Sequence, residues 1–144
     1  SFRRDRNGAA PNNFLNYGYA LLRSSMTSAV LASGLHPTFG LFHKNKNNPL
    51  CLVDDLIEPY RPLVDQVVFR IQEKGLVDLT PEAKRVLAAV LVADQSKIGS
   101  TSPLFKHMHN LSLAMSDLFI GKEATLYFPN LMSELEVEAL VSEC

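Results

Sequence analysis

The stretch NPLCLVDDLIEPYRPLVDQVVFRI, residues 48–71, decides the fold class. Its apolar residues Leu52, Val53, Leu56, Ile57, Tyr60, Leu63, Val64, Val67 and Ile71 recur every three or four positions, the spacing of one helix face. Asn48 followed by Pro49 reads as an N-cap and the first helical residue, and Gly75 reads as the stop. Pro59 and Pro62 fall inside the pattern. Each removes a backbone donor and clashes with the preceding turn, so a kink or break is expected near residue 58.

Working outward, the same punctuation recurs. Asn13 is placed to cap an earlier helix whose apolar residues are Phe14, Tyr17, Leu21, Leu22, Met26, Val30 and Leu31, with Gly34 and Pro37 ending it. LHPTFGLFHKNKNN, residues 35–48, is loop. Downstream, Thr80-Pro81-Glu82 opens a third helix running to about Ala93, and Ser102-Pro103 opens a fourth that ends at Gly121. EATLYFP (123–129) reads as irregular or briefly extended, and residues 130–143 as a final acidic helix. No strand alternation or internal repeat emerges. The expectation is all-α: one domain over residues 1–144, of about five helices.

Composition narrows the classes. With 47% hydrophobic and 20% charged residues in 144, the chain is neither disordered nor too short to bury a core. No apolar run reaches the ~18–20 residues that cross a bilayer, so no membrane partner is expected. Cys51 and Cys144 lack metal-type spacing, and a reducing, cytoplasmic setting is expected. A net charge of −1 gives no global argument for nucleic acid. The charge is uneven, however: Arg3, Arg4 and Arg6 open the chain, Lys44 and Lys46 flank His43, and Glu134, Glu136, Glu138 and Glu143 close it.

The second helix carries the chemistry. On a wheel of 100° per residue, Asp54, Glu58, Arg61 and Asp65 fall within roughly 60° of one another, opposite the apolar stripe. Asp55 lies at the edge of that strip but is an i,i+3 neighbour of Glu58. Two carboxylates a turn apart, with the imidazole of His43 nearby, form a mixed oxygen–nitrogen set suited to Mn²⁺ or Mg²⁺. Such an ion stabilises charge in phosphoryl transfer. The same residues equally describe a solvated helix face whose first-turn acids complement the helix dipole. Spacing leaves both readings open. His107 and His109, two apart on a helix, point away from each other, and Ser24, Ser25 and Ser28 have no placed His–Asp companion. Tyr17, Tyr19, Phe39 and Phe42 are expected in the core.

Four linked phrases add what spacing cannot: GAAPNN (8–13), LNYGYALL (15–22), GLHPTFGLFH (34–43) and DDLIEPYRPLVD (54–65). Together they resemble the helical catalytic domain of the CRISPR-associated integrase, the DNA-cutting and strand-joining subunit of the spacer-acquisition complex, in the version that accompanies single-protein, type II effector systems. The resemblance is dense over residues 8–70 and thin beyond about 80. It implies a metal-dependent DNA endonuclease/integrase that inserts captured foreign DNA as new spacers. The metal, Mg²⁺ or Mn²⁺, would be held by His43 and Glu58, with Asp55 a companion catalytic carboxylate and Arg61 and Asp65 in supporting places. Lys44, Lys46, Arg4 and Arg6 become candidates for DNA phosphate contacts. Implied partners are double-stranded or branched DNA (prespacer and CRISPR repeat), a second copy of the full-length protein, the small second subunit of the acquisition complex and the system's effector nuclease, in the bacterial cytoplasm. The family's first ligand Glu and its β-rich N-terminal domain have no counterpart here, so the chain is expected to be a C-terminal piece whose isolated activity is defective. A non-catalytic helical interaction domain and a stand-alone metal-dependent nuclease remain the alternatives.

Overall fold

A computed structural model describes residues 10–42, 47–97 and 100–142. Six α-helices dominate: α1 (Asn12–Ala32), α2 (Cys51–Ile57), α3 (Arg61–Glu73), α4 (Pro81–Ala89), α5 (Leu104–Phe119) and α6 (Glu134–Val141). A 3₁₀ turn, Glu58–Tyr60, joins α2 to α3, and another, Val90–Val92, extends α4. Among the described residues the only strands are an antiparallel pair, β1 (Asp94–Lys97) and β2 (Ser100–Pro103), in the register Asp94↔Pro103 to Lys97↔Ser100. This hairpin departs from the all-α expectation. DQSK and STSP contain no apolar residue, so no alternation marks them; backbone pairing alone defines the element.

α1 is the centre of the bundle. At 21 residues it is about 30 Å long, and α2, α3, α4 and α5 all pack on it. Phe14, Leu22, Met26 and Val30 of α1 meet Leu52, Ile57, Tyr60, Leu63, Val67, Leu87, Leu104 and Met108 in one core. Closest approach to α3 occurs at Gly18, where any Cβ would run into Val64 Cγ1. Gly34 ends α1 at φ +73°, with the Leu35 amide donating to the Val30 carbonyl (3.1 Å) and the Gly34 amide to that of Leu31 (3.1 Å), the Schellman arrangement.

The two prolines act as expected. A helix continued through residue 59 would have no amide there and a ring against the preceding turn, so the chain tightens into the 3₁₀ turn and restarts with Pro62 in the first turn of α3. All nine residues of the predicted stripe, from Leu52 to Ile71, are buried.

Three expectations are corrected. α1 starts at Asn12, two residues early, so Asn13 lies inside it and donates from Nδ2 to the Val77 carbonyl (3.0 Å). α2 begins at Cys51 rather than Pro49, although Asn48 Oδ1 accepts the Leu50 amide as a cap would. Phe39 and Phe42 are not core: they are 74% and 83% exposed. Tyr17 and Tyr19 pack at the core's margin. At the other end of the molecule, α6 carries a capping box, Ser133 with Glu136, and leans on α3 through Arg70 and Glu138. No described helix is long and apolar enough to cross a membrane.

Candidate metal centre

Three carboxylates on and just beyond α2 meet different fates. Asp54 accepts from Arg23 through both oxygens, Nε to Oδ1 at 2.7 Å and Nη2 to Oδ2 at 3.0 Å, and Asn48 Nδ2 donates to the same Oδ2 at 2.6 Å. Burial by itself would push this carboxyl up. The hydrogen bonds from Arg23 and Asn48, with the charges of Arg23 and Arg61, outweigh it and hold Asp54 below the usual carboxylate range. A carboxylate so committed has little left to offer a cation.

Asp55 turns inward and is 8% exposed. Its Oδ2 accepts two successive backbone amides of the preceding loop, Leu41 at 2.6 Å and Phe42 at 2.8 Å. Glu58 opens the 3₁₀ turn, where the change of pitch leaves its side chain 49% exposed. Arg61 Nη1 lies 3.0 Å from Glu58 Oε1, and its guanidinium carbon sits 5.1 Å from the centroid of the Tyr19 ring. Tyr19 in turn donates its hydroxyl to Asp65. Arg61 Nε is buried with no hydrogen-bond partner among the described residues, a cost of about 1–3 kcal/mol that the carboxylate and the aromatic face offset.

Glu58 fits a hard divalent cation: it is an oxygen donor, half exposed, and only partly neutralised by a neighbouring cation. Among the described residues no three His, Cys, Asp or Glu side chains converge on one point. His43, Lys44 and Lys46 lie outside the described residues, as do Arg3, Arg4, Arg6 and Cys144. The chain entering His43 is nonetheless fixed, because Phe42 is the residue whose amide Asp55 holds.

The other histidine candidates stay apart. His107 is buried and shares a hydrogen bond of 2.9 Å between Nδ1 and the Tyr60 hydroxyl, with the rings edge to face. Burial pushes the Tyr60 hydroxyl well above its ordinary range, so the tyrosine stays protonated in this buried pair. Cys51 is buried and donates its thiol to the Asn48 carbonyl.

Sequence reasoning missed Arg23, Asn48 and Tyr19. A signal for the first was present: Arg23 is the one charged residue in the 21 of α1. A lone charge on such a helix asks for a partner.

Comparison with known proteins places this arrangement in a family. The profile described as "CRISPR associated protein Cas1" matches residues 3–97, and the chain belongs to that family. It is 42% identical over 92 residues to a CRISPR-associated endonuclease Cas1 of Neisseria meningitidis, covering 62% of this chain and 30% of the relative. It is 36% identical over 112 residues to a CRISPR-associated endonuclease Cas1 of Pyrobaculum aerophilum, covering 74% of this chain and 37% of the relative. The chain thus spans about a third of the length of these curated relatives. Among solved structures, a casposase bound to integration product superposes with a TM-score of 0.70 at 25% identity, over 85% of this chain and 41% of that one.

Proposed function

We propose that this chain is the metal-binding helical portion of a DNA integrase/endonuclease that inserts captured DNA fragments into a CRISPR array. The observation that carries the reading is the placement of Glu58: an exposed carboxylate one turn beyond the residue that fixes the chain into His43. Family membership and the casposase likeness support the reaction class.

When bound, Mg²⁺ or Mn²⁺ supplies electrostatic stabilisation of the phosphoryl oxygens and of the entering and leaving oxygens. Glu58 and His43 hold the ion. Arg61 orients Glu58 through their ion pair, and is itself held by Tyr19. In the reaction a 3′-hydroxyl of the captured DNA forms a bond to a phosphorus at the repeat boundary. The bond from that phosphorus to the target's own 3′ oxygen breaks, and the attacking hydroxyl gives up its proton. Lys44, Lys46, Arg4 and Arg6 are the cations we assign to duplex phosphates, contacts that position DNA without reading sequence. The reading extends to the type II version of the complex, in the bacterial cytoplasm, with a second copy of the intact protein, the small second subunit and the effector nuclease as partners. The resemblance calls for one further Glu ligand, so the 144-residue chain alone is expected to bind the ion weakly and to integrate poorly.

The test is strand transfer by the intact protein. Glu58→Gln and His43→Ala are each expected to lower integration of a prespacer at least about a hundredfold, because each removes a ligand of the charge-stabilising ion. Wild-type rates in both variants would reject the assignment.

A further inference from the structure

We infer that Asp54 and Asp55 form a two-sided clamp on the segment bearing His43, and act as positioning residues rather than as ligands. Upstream, Asp55 Oδ2 gathers the amides of Leu41 and Phe42, at 2.6 and 2.8 Å. Downstream, Asp54 Oδ2 accepts from Asn48 Nδ2 at 2.6 Å, while Asn48 Oδ1 accepts the Leu50 amide at 3.0 Å and Arg23 Nη2 at 3.2 Å. Two neighbouring bonds close the same loop: the Leu52 amide to the Pro37 carbonyl, 2.8 Å, and the Thr38 hydroxyl to the Pro49 carbonyl, 3.2 Å. The anchors at residues 42 and 48 therefore belong to two adjacent residues of one short helix. That helix is itself immobilised, since Cys51, Leu52, Val53, Leu56 and Ile57 are all buried.

The chemistry suits the task. One carboxylate oxygen can take two roughly convergent amides, and an ionised acceptor strengthens both bonds. A carboxylate gripped at both oxygens by one guanidinium cannot rotate, so Asn48 meets a fixed acceptor. Glu58 follows Asp55 by three residues and Asp54 by four, so the element that fixes both stems of the His43 segment also sets out from the same turn toward Glu58. Phe42 and Asn48, on either side of residues 43–46, are thus held by the same helix that leads to Glu58.

This inference rests on the reading of His43 as a ligand, but the clamp is measurable without it. In the 144-residue chain, Asp55→Ala is expected to speed hydrogen exchange of the Leu41 and Phe42 amides about tenfold or more, with the Met26 and Leu111 amides unchanged. Asp55→Asn keeps an oxygen for both amides and is expected to recover most of the protection. In the intact protein, Asp55→Ala is expected to raise the Mn²⁺ concentration for half-maximal strand transfer by about 10–100-fold, as loss of a ligand-orienting partner does, with Asp55→Asn close to wild type. Arg23→Ala tests the downstream side and is expected to free the Leu50 amide. Unchanged exchange of Leu41 and Phe42 in Asp55→Ala overturns the clamp. Asp55→Asn requiring as much Mn²⁺ as Asp55→Ala overturns the positioning role, since a direct ligand needs the charge. If exchange changes as expected while His43→Ala and Glu58→Gln integrate normally, the clamp stands and the metal reading fails. Should Asp55→Ala not fold, Asp55→Asn and Arg23→Ala decide the question.

Discussion

Asp54, Asp55 and Glu58 lie within five residues, yet each meets a different environment: a two-pronged grip by Arg23, a pair of backbone amides, and a half-exposed place beside Arg61. The helical wheel sets their angles and therefore detects a polar strip; it does not say which polar partner occupies each direction. Those partners come from residues 31 positions back in α1 and 13–14 back in the loop, and such distances are not encoded in local periodicity. The depressed Asp54 carboxyl has a pH consequence. Its native value is below the ordinary 3.8, so the unfolded chain takes up the proton first as pH falls. The stability it contributes is complete well above pH 3.8 and is lost as pH drops through the lower, native value. In urea melts across a pH series, the wild type is expected to exceed Asp54→Asn in stability at pH 7, with the gap closing below about pH 3.8.

At the scale of elements, the α1–α3 contact is set by the absence of a side chain at Gly18. Gly18→Ala places a methyl where Val64 already is, and overpacking of this kind costs about 1–3 kcal/mol. Chemical denaturation is expected to show that loss even though alanine is the better helix former. Helices were the legible part of the sequence, because each buries a stripe with a 3.6-residue period and is bounded by Pro or Gly. The break at residue 58 was legible for the same reason: proline's missing amide acts locally. The β1–β2 hairpin was not, since its sequence carries no alternation of apolar residues. Nor was the start of α2. Asn48 takes the Leu50 amide as a cap would, but Leu50 itself is non-helical (φ −123°, ψ 33°) and the helix begins later. The exposure of Phe39 and Phe42 ran against composition for a similar reason: the loop that carries them is pulled toward Asp55 by its backbone, not by its rings.

Across the whole molecule, α1 is shared by four helices whereas α6 touches chiefly α3 and α4. Site and scaffold meet at α1, which supplies Arg23 and Tyr19 to the site and Phe14, Leu22, Met26 and Val30 to the core. A hub and a periphery are expected to differ in folding kinetics. Stopped-flow refolding is expected to slow in Met26→Ala, whose side chain joins contacts that must assemble together, while Val141→Ala in α6 mainly accelerates unfolding. The hub also precedes the helices that pack on it. Synthesis continues for about 70 residues between Ala32 and Leu104, on the order of 4–14 s at ~5–20 residues per second, before α5 can cover its side of α1. For that interval the side of α1 that faces α5 is uncovered, and a chaperone that binds exposed apolar segments has its best opportunity there.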